Sequence, residues 1–185
     1  MTTTDRAGTT RPAAAAAAEA TGTAAVTTPE EALAAVRRLA PEITARAPEI
    51  EAARRVPRDL LDAVARAGGY RLLLPRSHGG LGADPVGAFR VYEALAASDA
   101  SLAWVVLIGG GGWLDLTGLP PATFDELFGR GDTRMAGVFR PSGSATPVGG
   151  GYRIDGRWTF ASGCEDADRL YVNCLEGVVD GEPQL

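Results

Sequence analysis

The chain has 185 residues, of which 45% are hydrophobic and 22% charged, and a net charge of −5. That is enough apolar material for the core of one large domain or two small ones, while the acidic balance without a basic patch argues against a nucleic-acid partner. All eighteen basic residues are Arg, which excludes lysine-nucleophile and Schiff-base chemistry.

Residues Met1–Thr27 are rich in Thr, Ala and Gly and hold almost no large apolar side chains. Such a segment cannot bury enough surface to offset its ordering entropy, so a disordered tail is expected. Thr28-Pro29-Glu30-Glu31 then reads as a helix start with a capping box. Leu33, Val36, Leu39 and Ile43 continue at helical spacing, and Pro41 and Pro48 are expected to kink or break the run. A second helix is predicted from Pro57 to Ala67, ended by Gly68-Gly69. After a glycine-rich turn over Ser77–Gly82, Asp84-Pro85 opens a third helix and Asp99 caps a fourth that runs into Gly109–Gly112. Pro120–Phe128 reads as a short fifth helix.

The period then changes. Met135–Phe139, Thr146–Val148, Tyr152–Ile154, Trp158–Ser162 and Leu170–Leu175 are short runs between Gly, Pro or Asp turns, the pattern of a strand meander. The chain is therefore an α+β arrangement: a helical domain over 28–133, then a partial β-domain over 134–185, with the boundary near Arg130–Arg134. Within the strand half, Trp158, Phe160 and Ser162 alternate, so a strand would place two flat rings and a hydroxyl on one face. That surface suits a flat aromatic ligand with polar edges. On local pattern alone, an ordinary half-buried strand ending in a glycine turn is the favoured reading.

His78 is the one histidine, and Cys164 and Cys174 are the two cysteines. No Cys, His or carboxylate cluster has ligand spacing, so no metal site is expected. Two thiols without a signal peptide fit a reducing, cytoplasmic setting. No run approaches the ~20 apolar residues of a membrane span, so no membrane partner is expected.

The order of features resembles the acyl-CoA dehydrogenase superfamily. Leu74-Pro75-Arg76-Ser77-His78-Gly79-Gly80-Leu81-Gly82 follows a helix as in the family's opening, and Ser101-Leu102-Ala103-Trp104 resembles the end of its next helix pair. Ala136–Ala145 and Tyr152–Cys164 lie where dehydrogenases carry their two flavin-facing segments. The spelling Trp158-Thr159-Phe160-Ala161-Ser162-Gly163-Cys164 is closer to the flavin-dependent monooxygenase branch, the oxygenase components of two-component hydroxylases.

The resemblance implies a helical N-terminal domain, an antiparallel β-domain and a C-terminal four-helix bundle. The bundle has no counterpart here, so the chain corresponds to an N-terminal part of such a protein. It also implies reduced FMN or FAD as cofactor, a flavin reductase as supplier, a small organic substrate and a homotetramer. Carried over by motif, Phe139, Arg140, Pro141, Ser144, Phe160, Ala161 and Ser162 face the flavin, and Trp104 and Ile108 the substrate. Ser162 is expected to orient or stabilise near flavin N5 rather than act as a nucleophile. Oxygen chemistry on reduced flavin needs a dry pocket with such a hydrogen bond.

Two departures sharpen the reading. Phe139-Arg140-Pro141 stands where dehydrogenases carry Thr-Glu-Pro, which argues against ordinary acyl-CoA dehydrogenation. Gly109–Gly112 stands where phenol-hydroxylating relatives tend to carry a pocket histidine. The alternatives are a dehydrogenase-like flavoenzyme and an inactive module that pairs with a full-length relative.

Overall fold

The computed structural model describes residues 25–116, 118–128, 133–179 and 182–184. Helices fill the first part: α1 (Pro29–Ala53), α2 (Arg58–Arg66), α3 (Pro85–Ala96), α4 (Ala100–Gly111), α5 (Trp113–Leu116) and α6 (Pro121–Phe128). Strands follow: β1 (Met135–Val148), β2 (Gly151–Gly156), β3 (Arg169–Leu175), and the small pair β4 (Gly177–Val179) and β5 (Glu182–Gln184). The disordered tail expected for 1–27 falls almost wholly outside the described residues, as does most of the expected boundary at 130–134.

The helix starts follow from their caps. Thr28 Oγ1 accepts from the Glu31 amide at 3.1 Å, and the Glu31 carboxylate accepts from the Thr28 amide at 3.1 Å. Asp84 accepts from Gly87 N at 2.6 Å, and Asp99 accepts from Leu102 N at 2.7 Å. Pro41 and Pro48 do not break α1, contrary to the sequence expectation. Both prolines lie on the exposed face, where water can serve the carbonyls they leave unbonded. The opposite face buries Val36, Ile43 and Ile50 at heptad spacing, and that burial holds the helix together.

This face joins Leu60, Leu61, Val64, Tyr70, Leu102 and Val106 in the main core beneath α1–α4. A second cluster of Leu74, Trp113, Phe124, Phe128 and Met135 seats the start of β1 on α5 and α6. Trp113 is anchored by its indole N–H, which donates to Tyr70 O at 2.8 Å. Where α4 crosses below Tyr70, a side chain is excluded: a Cβ on Gly109 would lie 2.7 Å from Tyr70 Cε1.

The main sheet has the order β2-β1-β3. β1 and β2 form an antiparallel hairpin from Gly143↔Gly156 to Val148↔Gly151. Its turn is Gly149-Gly150, and Gly150 has φ 87°, a conformation glycine adopts without steric cost. β3 pairs with β1 in parallel, from Met135↔Arg169 to Val138↔Val172. The antiparallel expectation thus holds for β2 but not for β3, because segment 157–168 carries the chain across β1 before β3 begins. The runs Met135–Phe139 and Thr146–Val148 are one strand, not two.

The expected strand Trp158–Ser162 is not a strand. Residues 157–161 are irregular and 162–166 form turns. Phe160 has φ 63°, the left-handed region, which breaks the period-two alternation that the sequence suggested.

Candidate functional site

Segment 157–168 leaves β2, passes α4 and enters β3. Several hydrogen bonds fix it. The indole N–H of Trp104, on α4, donates to Ser162 Oγ at 3.1 Å. The indole N–H of Trp158 donates to Asn173 O at 3.0 Å, and the Asn173 side-chain amide donates to Phe139 O at 2.7 Å. Asn173 therefore ties the Trp158–Ser162 segment to the Phe139–Ser144 segment of β1. Close packing adds to this: a Cβ on Gly143 would lie 2.4 Å from Trp158 Cζ2, so only glycine admits the ring.

The Phe139–Ser144 segment is irregular for a physical reason. After Val138↔Val172 the next β1–β3 pair is Gly143↔Cys174, so 139–142 bulge out of the ladder. Pro141 has no amide hydrogen to give a ladder, which suits it to a bulge. Phe139 is exposed and its ring meets Tyr171 edge-on at 5.7 Å. Arg140 and Ser144 are exposed, and Ser144 Oγ lies 3.5 Å from Asp155 O.

Phe160 is 95% exposed, an unusual state for a phenylalanine held in a left-handed conformation. Ala161 is half-buried, and Ser162 turns towards α4. Because Ser162 accepts from Trp104, its own O–H is left to donate; no acceptor for it is found among the described residues. Trp104 also walls a groove of about 560 Å³ between α3 and α4, together with Phe89, Tyr92, Ala103 and Leu107. Ile108 follows Trp104 by one turn on α4 and is half-buried, but does not wall this groove.

The far end of the segment is held by charge. Arg55, just after α1, donates to Asp166 from Nη2 at 2.7 Å and from Nε at 3.1 Å, and to Glu165 O at 3.3 Å. Arg134 donates to Asp62 at 2.7 Å, and its amide donates to Asp168 at 3.0 Å. Sequence reading missed Asn173, Arg55 and Asp166. Asn173 left a trace as the polar break in the apolar run Leu170–Leu175; the other two left none. His78, by contrast, packs its ring against Phe124 at 4.4 Å, away from this segment.

The helices come first in the chain, and the mixed sheet that follows is tied back to them by the loop that crosses from β2 past α4. Residues 27–114 match the model of the acyl-CoA dehydrogenase N-terminal domain, and this part of the chain belongs to that superfamily. It is similar to the indole-3-acetate monooxygenase of Pseudomonas putida, 36% identical over 129 residues, which are 69% of this chain and 33% of that protein. Among solved structures it is similar to the HsaA monooxygenase of M. tuberculosis, with TM-score 0.77 and 33% identity over 85% of this chain and 41% of that one. It is also similar to XiaF from Streptomyces sp., a complex with FADH2 and glycerol, with TM-score 0.76 and 30% identity over 84% of this chain and 40% of that one. The chain thus spans well under half the length of these relatives.

The residues present fit a flavin. Phe160 offers an uncovered apolar ring, Phe139 a second one across Asn173, and Ser162 an uncommitted hydroxyl proton for a polar edge. Among the described residues no helix is long and apolar enough to cross a membrane, and no group of three or more His, Cys, Asp or Glu could hold a metal ion.

Proposed function

We propose that this chain is the front part of the oxygenase component of a two-component flavin-dependent monooxygenase. Reduced FMN or FAD would lie along Phe139–Ser144 and Phe160–Ser162, and a small organic substrate would approach from the α4 side near Trp104 and Ile108. The bound flavin supplies the electrons that activate O2. Phe160 and Phe139 exclude water from the flavin face, and Ser162 orients its polar edge.

The observation that carries this reading is the 3.1 Å bond from Trp104 to Ser162, which joins the substrate candidate to the cofactor candidate across two elements. Dehydrogenation of a thioester is the weaker reading. It needs a carboxylate base, and Asp166 and Asp168, near Ser162, are engaged by Arg55 and Arg134. A flavin reductase is the implied supplier of reduced flavin, a homotetramer the implied assembly, and the cytoplasm the implied site of action, with which the free thiols of Cys164 and Cys174 are compatible.

The test is an anaerobic titration of the chain with reduced FMN and reduced FAD, followed by flavin fluorescence, then admission of air with indole-3-acetate as probe substrate. Saturable binding that Ser162→Ala weakens supports the reading. Absence of binding to either flavin, or oxidation of an acyl-CoA thioester by the flavin-loaded chain, overturns it.

A further inference from the structure

The carboxylate of Asp166 is only 7% exposed, whereas the other acids in this ion-pair network, Asp62, Glu165 and Asp168, are 42–66% exposed. A carboxylate withdrawn from water this far is held only when its partner geometry is good. Arg55 provides that geometry, giving two bonds to the carboxylate and a third to Glu165 O. Arg55 itself is held in place by the helix end: Arg54 adopts φ 51° as the C-cap of α1, and the Arg55 amide donates back to Ile50 O at 3.4 Å.

The pair lies at one end of a short chain of turns. Asp166 N donates to Gly163 O at 3.1 Å, Cys164 N to Ala161 O at 3.1 Å, and Ser162 N to Phe160 O at 3.0 Å. Each link leaves little slack, so a displacement of Asp166 reaches Ser162. Gly163 itself abuts Val105 of α4: a Cβ there would lie 3.1 Å from Val105 Cγ1.

We propose that Arg55 and Asp166 are positioning residues that press the 160–166 turns against α4 and so set the register of the Ser162 hydroxyl on Trp104. Neither touches the candidate flavin surface. They act through the turns, and the role rests on the functional reading above only for its consequence, flavin affinity.

The chain carries its own reporters. It has three tryptophans, and each indole N–H has a distinct acceptor: Ser162 Oγ for Trp104, Tyr70 O for Trp113 and Asn173 O for Trp158. In the ¹⁵N-labelled chain, Arg55→Gln and Asp166→Asn are expected to move the Trp104 indole cross-peak while the buried Trp113 peak stays. Arg55→Lys, which keeps the charge without the fork, should fall between. The dissociation constant for reduced FMN should rise roughly tenfold in Asp166→Asn. Arg46→Gln removes ion pairs with Glu49 and Asp59 that do not include Arg55 or Asp166, and is expected to move neither readout.

A Trp104 peak that stays put in both Arg55→Gln and Asp166→Asn overturns the proposal, and so does an equal shift in Arg46→Gln. Should Asp166→Asn unfold, seen as collapse of the Trp113 peak, Arg55→Gln decides, since Arg55 is half exposed and easier to replace. If the unaltered chain binds no reduced FMN, the functional reading fails, yet the indole peaks still decide the positioning role.

Discussion

The indole N–H of Trp104 donates to the Ser162 hydroxyl at 3.1 Å, although the residues lie 58 positions apart and on different elements. Trp104 is 55% exposed, so water can replace Ser162 if the bond is lost. Ser162→Ala is therefore expected to cost no more than about 1 kcal/mol of folding stability. Its effect on reduced-flavin affinity should be larger, roughly tenfold, because in the proposed binding mode the lost hydroxyl is the one that would meet the ligand. Urea unfolding and anaerobic flavin titration of the same variant separate the two.

Phe160 combines near-full exposure with a left-handed backbone. That conformation costs a non-glycine residue about 1–2 kcal/mol, and no packing of the ring returns it. Phe160→Gly should raise the unfolding midpoint of the free chain modestly, by the equivalent of about 0.5 kcal/mol once glycine's freedom in the unfolded state is counted. The same variant should bind reduced flavin more weakly. A stabler chain with unchanged flavin binding would mean that Phe160 does not meet the ligand.

Two glycines of α4 should respond oppositely to alanine. At Gly109 a Cβ would sit 2.7 Å from the Tyr70 ring and 3.2 Å from Met135 O, while at Gly111 it would meet nothing within 4 Å. Gly109→Ala is expected to destabilise by about 1–3 kcal/mol through overpacking. Gly111→Ala should gain up to about 1 kcal/mol from helix propensity. Thermal melts of the pair check the sign of each.

Tyr92 and Tyr70 are buried and their hydroxyls have no partner among the described residues. Burial pushes the Tyr92 hydroxyl up to about 12, and pushes Tyr70 further up still. Both are neutral in the fold where the unfolded chain begins to ionise, at about pH 10. Their contribution is thus complete below about pH 10 and is lost as pH rises towards the folded values. Urea midpoints should fall between about pH 10 and about pH 12, and fall less in Tyr92→Phe. At neutral pH, Tyr70→Phe should be neutral or stabilising, since it removes an unpaired hydroxyl.

The helical half was legible in the sequence because its signals are local. Thr28, Asp84 and Asp99 cap as their spacing predicts. Pro41 and Pro48 misled, because the local rule for proline takes no account of which face is wet. In the strand half, alternation at Trp158, Phe160 and Ser162 suggested a strand, whereas the fold uses these residues in turns. What decides their conformation lies far away in sequence: Trp104, Asn173, and Arg55 across 111 positions. No local pattern contains those partners, so the members of the candidate site could be named by motif but not their connections.

The parallel pairing of β3 with β1 has a consequence for how the protein assembles. A hairpin needs only a turn, but a third strand on the far side of β1 needs a crossover, and here that crossover is the segment bearing Phe160 and Ser162. β3 reaches its place beside β1 only by way of that segment, which Trp104 and Arg55 hold on its path. The third strand and the candidate ligand surface thus share one connection, so a change that loosens β3 from β1 is expected to loosen Phe160 and Ser162 as well.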